Sequence, residues 1–370
     1  MKLRQAQIHH IQSSFATMSN RKDLADLLTY IKKLILGNKA YPIQVRDINF
    51  YINERDTDLR YHSFSIPKKN GSARTITAPR GGLKLIQRCV NVMLQQVFQP
   101  HPAAMGFVPG RSVQDNATIH IGKKYVYNLD LKDFFHSVDQ ARVWRCLQNP
   151  PFLLSREKRR LTLANVIAGL CCTELPVQRQ NEFGEWKEVD RNVLPQGAPT
   201  SPTIVNIVAQ RLDYKLAALA KRYKVQYSRY ADDITFSADY NAFDGEGPLL
   251  SKVNKIIDDQ SFVVNPVKVR LQKYNVRQEV TGIIVNEKAN LPKAYASELR
   301  MWLYYWERYG RDRAESYFSQ RYTTKGDMAA VLEGKVQYLR AIRGADDALA
   351  AKLGGRLKKL KERTSVIAEV

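Results

Sequence analysis

Residues 229–237 read RYADDITFS and set two adjacent carboxylates, Asp232 and Asp233, inside an otherwise apolar, strand-forming stretch. The chain carries 58 Lys and Arg against 36 Asp and Glu, a net charge of +22, so nothing about its charge balance calls for an acidic pair there. Two like charges side by side in such a place need a cation to hold them. A second acidic site lies about a hundred residues upstream, where the apolar strand YVYNLD (125–130) ends on Asp130. If the two strands are neighbours, three carboxylates converge. Hard oxygen donors favour Mg²⁺. Two such ions roughly 3.5–4 Å apart serve phosphoryl transfer, one activating the attacking hydroxyl and one holding a triphosphate. A solvated Asp-Asp turn is the plainer reading of a lone pair, but the apolar strands and Asp130 weigh against it.

The bulk composition agrees with a polyanion as partner. At 370 residues, with 44% hydrophobic and 25% charged residues, the chain can bury a sizeable core. A charge of +22 spread along the whole sequence suits nucleic acid better than a membrane surface, which is met by one basic arm or tail. No apolar run is long enough to span a bilayer, and residues 1–15 (MKLRQAQIHHIQSSF) lack the apolar core of a signal peptide. Cys89, Cys146, Cys171 and Cys172 form no CxxC pair and read as buried thiols of a reducing compartment, the cytoplasm.

Periodicity places the remaining elements. Residues 1–45 are predicted helical, with DLADLLTYIKKLIL (23–36) repeating apolar positions every three or four residues. FSIPKKNGSARTITAP (64–79) has hairpin chemistry around Asn-Gly. LKLIQRCVNVMLQQVF (83–98) and the stretch from Ser155 to Cys172 are predicted helices, and VQRQNEFGEWKEV (177–189) a hairpin turning at Gly184. A long helix over 201–223 carries Pro202 in its first turn. Strand–turn–strand over 225–238, a helix over 247–262 and a strand pair over 276–286 follow, and beyond Asn290 the chain is helical, basic and rich in Tyr and Trp.

Taken in order, these stretches resemble reverse transcriptases over roughly residues 60–340. LDLKDFFHSV (129–138) is similar to motif A of that family, LPQGAPTSP (194–202) to motif B and YADD (230–233) to motif C. The resemblance implies an α+β right-hand polymerase with a ferredoxin-like palm, α/β fingers and a helical thumb. Its divisions would be a helical extension over 1–45, fingers over 46–128 with part of 140–192 returning to them, a palm over 129–284 and a basic thumb over 285–370. Asp130, Asp232 and Asp233 would be the catalytic metal ligands for two Mg²⁺ ions, with Mn²⁺ as a substitute. Phe135 matches the aromatic gate that crowds a ribonucleotide 2′-OH, with a core phenylalanine as the alternative. Gln196 would touch the incoming nucleotide, and Gly197 would let backbone approach it closely. Lys68, Lys69 and Arg74 match the fingers cations that hold the triphosphate. Lys268 resembles the lysine that protonates pyrophosphate, with a solvated surface lysine as the alternative.

Two stretches point to the retron subgroup. Residues 116–120 (NATIH) match its NAxxH signature and Val280-Thr281-Gly282 its VTG signature. The resemblance implies an enzyme that binds its own structured non-coding RNA and primes from a guanosine 2′-OH. It would then copy part of that RNA from dNTPs into branched single-stranded cDNA, beside a separate effector protein in anti-phage defence. Recognition of the RNA is expected from Asn116, His120, Val280, Thr281 and Gly282. It is also expected from the thumb, where Trp302, Lys335 and Arg340 belong to a mixture of aromatics and cations. The longer hairpin over 177–193 departs from the family pattern and leaves template or partner contacts there open. The chain is short for an added nuclease or integrase domain, which weighs against a group II intron or diversity-generating relative. A non-catalytic RNA-binding scaffold is opposed by the complete set Asp130, Asp232, Asp233 and Gln196, and RNA synthesis by Phe135.

Overall fold

The computed structural model describes residues 3–53, 57–67, 71, 73–155, 157–245, 247–322 and 327–368. Helices α1 (Gln5–Thr17), α2 (Arg21–Leu36), α3 (Val45–Asn53) and the short α4 (Thr57–Arg60) lead into a hairpin of β1 (Tyr61–Pro67) and β2 (Ala73–Pro79), then α5 (Gly81–Val97). Asn20 starts α2 by accepting from the backbone N–H groups of Lys22 and Asp23, which a helix start otherwise leaves open. Ile11, Phe15, Leu24 and Ile31 then bury in one core with Leu83, Val90 and Met93 of α5. The N-terminal helices therefore share their core with the fingers. Only the root of the β1–β2 hairpin is buried, and Phe64 and Ile76 pair along an otherwise exposed arm.

The middle of the chain builds the palm. It contains α6 (Val113–Thr118), β3 (Tyr125–Asp130), α7 (Gln140–Gln148), α8 (Lys158–Cys171), the hairpin β4 (Thr173–Gln180) and β5 (Trp186–Val193), and α9 (Ser201–Arg222). After these come β6 (Gln226–Tyr230), β7 (Asp233–Ala238), α10 (Pro248–Asp259), β8 (Arg270–Lys273), β9 (Glu279–Val280) and β10 (Ile283–Ile284). Four of the described strands form an antiparallel sheet in the order β6-β7-β3-β8. Strands β3, β6, β7 and β8, joined through helices in a βαββαβ pattern, give the ferredoxin-like arrangement. Alternation along β3 turns Tyr127 and Leu129 to the main core and Val126 to a second one. Apolar positions of α9 and α10, among them Ile204, Leu212, Val253 and Ile257, fill the main core. The β4–β5 hairpin turns through Gly184, at φ +78°, where glycine avoids the side-chain clash of the left-handed region.

The second core is the thumb: α11 (Lys293–Tyr309), α12 (Arg311–Arg321), α13 (Met328–Arg343) and α14 (Ala348–Ala368). Leu299, Trp302, Trp306, Phe318, Leu332 and Leu353 are buried together, each large apolar side chain contributing roughly 1.5–3 kcal/mol. This core also recruits Ala117, Val126, Val280 and Ile283 from before residue 285. Among the described residues no helix is long and apolar enough to cross a membrane. The cysteines are unpaired, and burial pushes the Cys89 thiol up to about 11 and the Cys171 thiol up to about 12.

Candidate active site

Pairing of β3 with β7 puts Asp130 directly opposite Asp233. The backbone N–H of Leu131 donates to the Asp232 carbonyl at 3.0 Å. The two acidic stretches legible in the sequence thus end at one point. The turn between β6 and β7 is held from behind. Ala231 has φ +57°, in the left-handed region that a residue with a Cβ seldom adopts. Its carbonyl accepts from Arg229 Nη1 at 3.0 Å. Arg229 is fully buried and gives Nε and Nη2 to the Asp213 carboxylate at 2.8 and 2.6 Å, with a further Nη2 bond to Asn206 at 3.1 Å. Asn206 in turn donates to the Gly106 carbonyl at 2.9 Å. A Cβ on Gly106 would lie 2.4 Å from the Ala231 nitrogen, so only glycine lets the loop that carries it press on the turn. Sequence reading missed this clamp. Its signal was an arginine in an apolar strand and an aspartate on an apolar helix, each of which needs a partner.

The carboxylates are crowded. Asp130 is 4% exposed, and its Oδ2 lies 2.8 Å from Lys268 Nζ and its Oδ1 3.3 Å from Asn265 Nδ2. Loss of water and then the neighbouring charge of Asp130 hold the Asp232 carboxyl above the usual carboxylate range. Asp233 is pushed up to about 6 by loss of water and then by Asp232 and Asp130. Because Asp233 also meets solvent at the rim, repulsion among the three is the firmer cause. Among the described residues no three His, Cys, Asp or Glu side chains are already gathered at metal-holding distance. The donor set nevertheless fits a hard divalent cation. It offers carboxylate oxygens alone, Asp130 is buried away from water, and Lys268 is the cation that now offsets Asp130.

Asp130, Asp232, Asn265 and Lys268 line a cleft of about 550 Å³ that also takes in Arg74, Phe135 and Gln196. Phe135 is part-buried and packs against Phe107 and Phe134, ring centres 5.9 and 6.0 Å apart. Arg74 is exposed on β2, whereas Lys68 and Lys69 lie outside the described residues. The Gln196 carbonyl accepts from Thr77 N–H at 2.8 Å. Gly197, at φ +127°, has no room for a Cβ, which would meet Ile76 at 2.7 Å and the Thr77 carbonyl at 3.0 Å. Within the protein, the close approach at Gly197 is made by β2.

The expected RNA contacts fare differently. Asn116, His120, Val280 and Trp302 are buried, the last with Phe318 at a ring separation of 5.0 Å. Buried to this degree, these four offer almost no surface for the direct RNA contact expected of them. Lys335 is bound to Glu298 at 2.8 Å and lies over the Tyr295 and Tyr322 rings. Thr281 is part-exposed, and Gly282 and Arg340 face solvent.

Residues 66–285 match the family described as reverse transcriptase (RNA-dependent DNA polymerase), and the chain belongs to that family. Among its relatives it is similar to the retron Mx162 reverse transcriptase of Myxococcus xanthus. The two are 36% identical over 282 residues, covering 71% of this chain and 56% of that one. The retron Mx65 reverse transcriptase of the same organism is 37% identical over 260 residues, 68% of this chain and 57% of that one. The retron Ec86 reverse transcriptase of Escherichia coli is 29% identical over 273 residues, 71% and 74%. The chain spans a little over half the length of the two Myxococcus relatives. The resemblance to retron enzymes drawn from NATIH and VTG is thus supported by relatives matched over most of the chain.

Proposed function

We propose that this chain is an RNA-directed DNA polymerase of the retron kind, acting in the cytoplasm on its own structured RNA. The observation that carries the reading is the register that sets Asp130 against Asp233, with Asp130 and Asp232 lining a cleft that also holds Phe135, Gln196 and Arg74. Asp130, Asp232 and Asp233 would hold Mg²⁺, or Mn²⁺ in its place, which when bound supplies charge to the triphosphate and acidity to the attacking hydroxyl. Arg74 is suited to grip phosphate oxygens by its planar fork, and Gln196 to line the nucleotide. Phe135 narrows the cleft where a ribose 2′-OH would sit, which selects dNTPs. Lys268, beside Asp130, is the group able to give a proton to departing pyrophosphate; burial opposes its charge, and the hydrogen bond to Asp130 together with the charges of Asp130, Asp232 and Asp233 outweighs that burial.

The finer reading adds a guanosine 2′-OH as primer, a branched RNA–DNA product and a separate effector protein in phage defence. The likeness to retron enzymes supports it. Asp232→Asn with Asp233→Asn tests the core of the proposal. DNA synthesis on a primed RNA template should disappear while RNA binding at physiological salt persists, because the basic surface is untouched. Extension by the double variant with Mg²⁺ and dNTPs would overturn the assignment.

A further inference from the structure

The NATIH and VTG stretches meet inside the protein, on the back of the catalytic hairpin. Asn116 Nδ2 lies 3.4 Å from Thr281 Oγ1, which lies 3.4 Å from the Val113 carbonyl. Ser228 Oγ on β6 donates to Asn116 Oδ1 at 2.7 Å. His120 bridges the two paired strands of the hairpin, Nε2 2.8 Å from Ser228 Oγ and Nδ1 2.7 Å from Ser237 Oγ on β7. Asn116, His120, Ser228 and Ser237 are all buried.

The direction of every bond follows from what each atom can give or accept. Asn116 Oδ1 only accepts, so the single Ser228 hydrogen goes to it. Ser228 must then accept from His120 Nε2–H. Burial keeps the imidazole neutral by lowering its pKa to about 3, so Nδ1 is bare and accepts from the Ser237 hydroxyl. At the other end, the Asn116 amide donates to Thr281, and Thr281 donates to Val113. The hydrogen bonds therefore run one way from Ser237 to Val113. They also cross a seam: Ala117, Val280 and Ile283 belong to the thumb core, whereas Ser228 and Ser237 lie on the strands that flank Asp232 and Asp233.

We propose that this one-way chain is a positioning device that locks the β6–β7 hairpin to the Thr281–Gly282 turn at the root of the thumb. Asn116, His120 and Thr281 then act through the placement of the catalytic carboxylates and not by touching RNA. In surroundings poor in water, linked hydrogen bonds strengthen one another, so cutting one link weakens the rest. The inference rests on the polymerase reading, and its test keeps the two apart.

Ser237→Ala, Thr281→Val, their combination and the conservative Thr281→Ser would be compared with wild type. The substrate is an annealed RNA template and DNA primer of unrelated sequence, with Mg²⁺ and dNTPs. Each single variant should lose roughly tenfold in kcat, as expected for a slightly displaced catalytic group, with dNTP KM and duplex Kd unchanged. The double variant should lose no more than the worse single, and Thr281→Ser should retain wild-type kcat. Thr281 is only part-buried, so its variants carry the test if Ser237→Ala fails to fold. Wild-type kcat in the single variants on the unrelated duplex, with loss confined to structured RNA that copurifies with the protein, would overturn the inference in favour of RNA reading. Losses that multiply in the double variant would overturn it in favour of independent sites. If wild type makes no DNA, the polymerase reading falls, and the chain is judged by melting alone. Non-additive Tm losses would then support a connected network, and additive losses would refute it.

Discussion

Replacing Arg229 by lysine tests whether the acidic pair is placed by a buried cation or by strand pairing alone. The guanidinium holds both oxygens of Asp213 and the Ala231 carbonyl at once, at 2.6 to 3.0 Å. An ammonium keeps the charge opposite Asp213 but is a single point on a different stem, and cannot serve a planar carboxylate and a carbonyl together. The Ala231 turn is already unfavourable by about 1 kcal/mol for a residue with a Cβ. Leaving its buried carbonyl without a donor costs roughly 1–3 kcal/mol more. That is enough to let the turn move, and a shift near 1 Å in a reacting group is worth about 100-fold in rate. Arg229→Lys should therefore stay folded while primer extension at saturating dNTP falls 10- to 100-fold, by the same relation. Asp213→Asn should show the opposite balance. It strands a buried guanidinium without its counter-charge, at a cost of about 3–5 kcal/mol, a large share of a typical total of ~5–15 kcal/mol. It should appear first as a depressed Tm. An Arg229→Lys variant that extends primers at the wild-type rate, or Asp213→Asn melting with wild type, would refute the clamp.

Phe135→Ala should raise ribonucleotide incorporation relative to dNTPs in single-nucleotide extension assays; unchanged discrimination in a folded, active variant would assign Phe135 to packing with Phe107 and Phe134. Gly106→Ala puts a methyl 2.4 Å from the Ala231 nitrogen, and should cut extension by roughly 100-fold through displacement of the turn; full activity would mean that the loop carrying Gly106 yields at no cost to the site. His120 gives a pH signature, because its pKa of about 3 in the fold lies below the ordinary 6.5. The unfolded chain takes up that proton first, so stability is complete above pH 6.5 and declines on acidification toward about 3, by about 1.4 kcal/mol per pH unit. Denaturation across that window should be less steep in His120→Gln, and identical slopes would exclude a neutral buried His120.

The parts of the site that read directly from the sequence are those whose local pattern already states a geometry. YVYNLD and RYADDITFS are apolar strands that each end or turn on acid, and antiparallel pairing of two such strands can hardly avoid bringing the acids together. Asn-Gly at 70–71 and Gly184 announce hairpins because few other residues adopt the backbone a tight turn needs. By contrast, the short α7 and the helix at Val45–Asn53 escaped notice, since nine residues offer too few repeats for periodicity to show. The thumb charges were legible only as a number. Lys335 with Glu298, Arg356 with Glu307 and Lys361 with Glu333 are spent within the thumb. The positive surface the thumb leaves uncompensated is smaller than the count of cations implies, with Arg300, Arg308 and Arg340 among its exposed residues.

Asn116 and His120 show most clearly what a linear reading withholds. A polar residue in a basic, RNA-seeking chain invites assignment to the RNA, because sequence gives its chemistry but not its direction. The contrary evidence was also in the sequence, in Ser228 and Ser237. Each is a hydroxyl beside an aromatic in a strand-forming stretch, and a buried hydroxyl must find a partner. Those partners lie 108 and 117 residues away at His120, and no local pattern can match donors to acceptors over that distance. Arg229 poses the same problem at 16 residues from Asp213, where a helix and a strand intervene. In both cases the polar residue that looked unexplained in a hydrophobic element marks the rear support of the catalytic turn. Asp232 and Asp233, the part-exposed and exposed residues proposed to do the chemistry, are held by residues that are themselves buried.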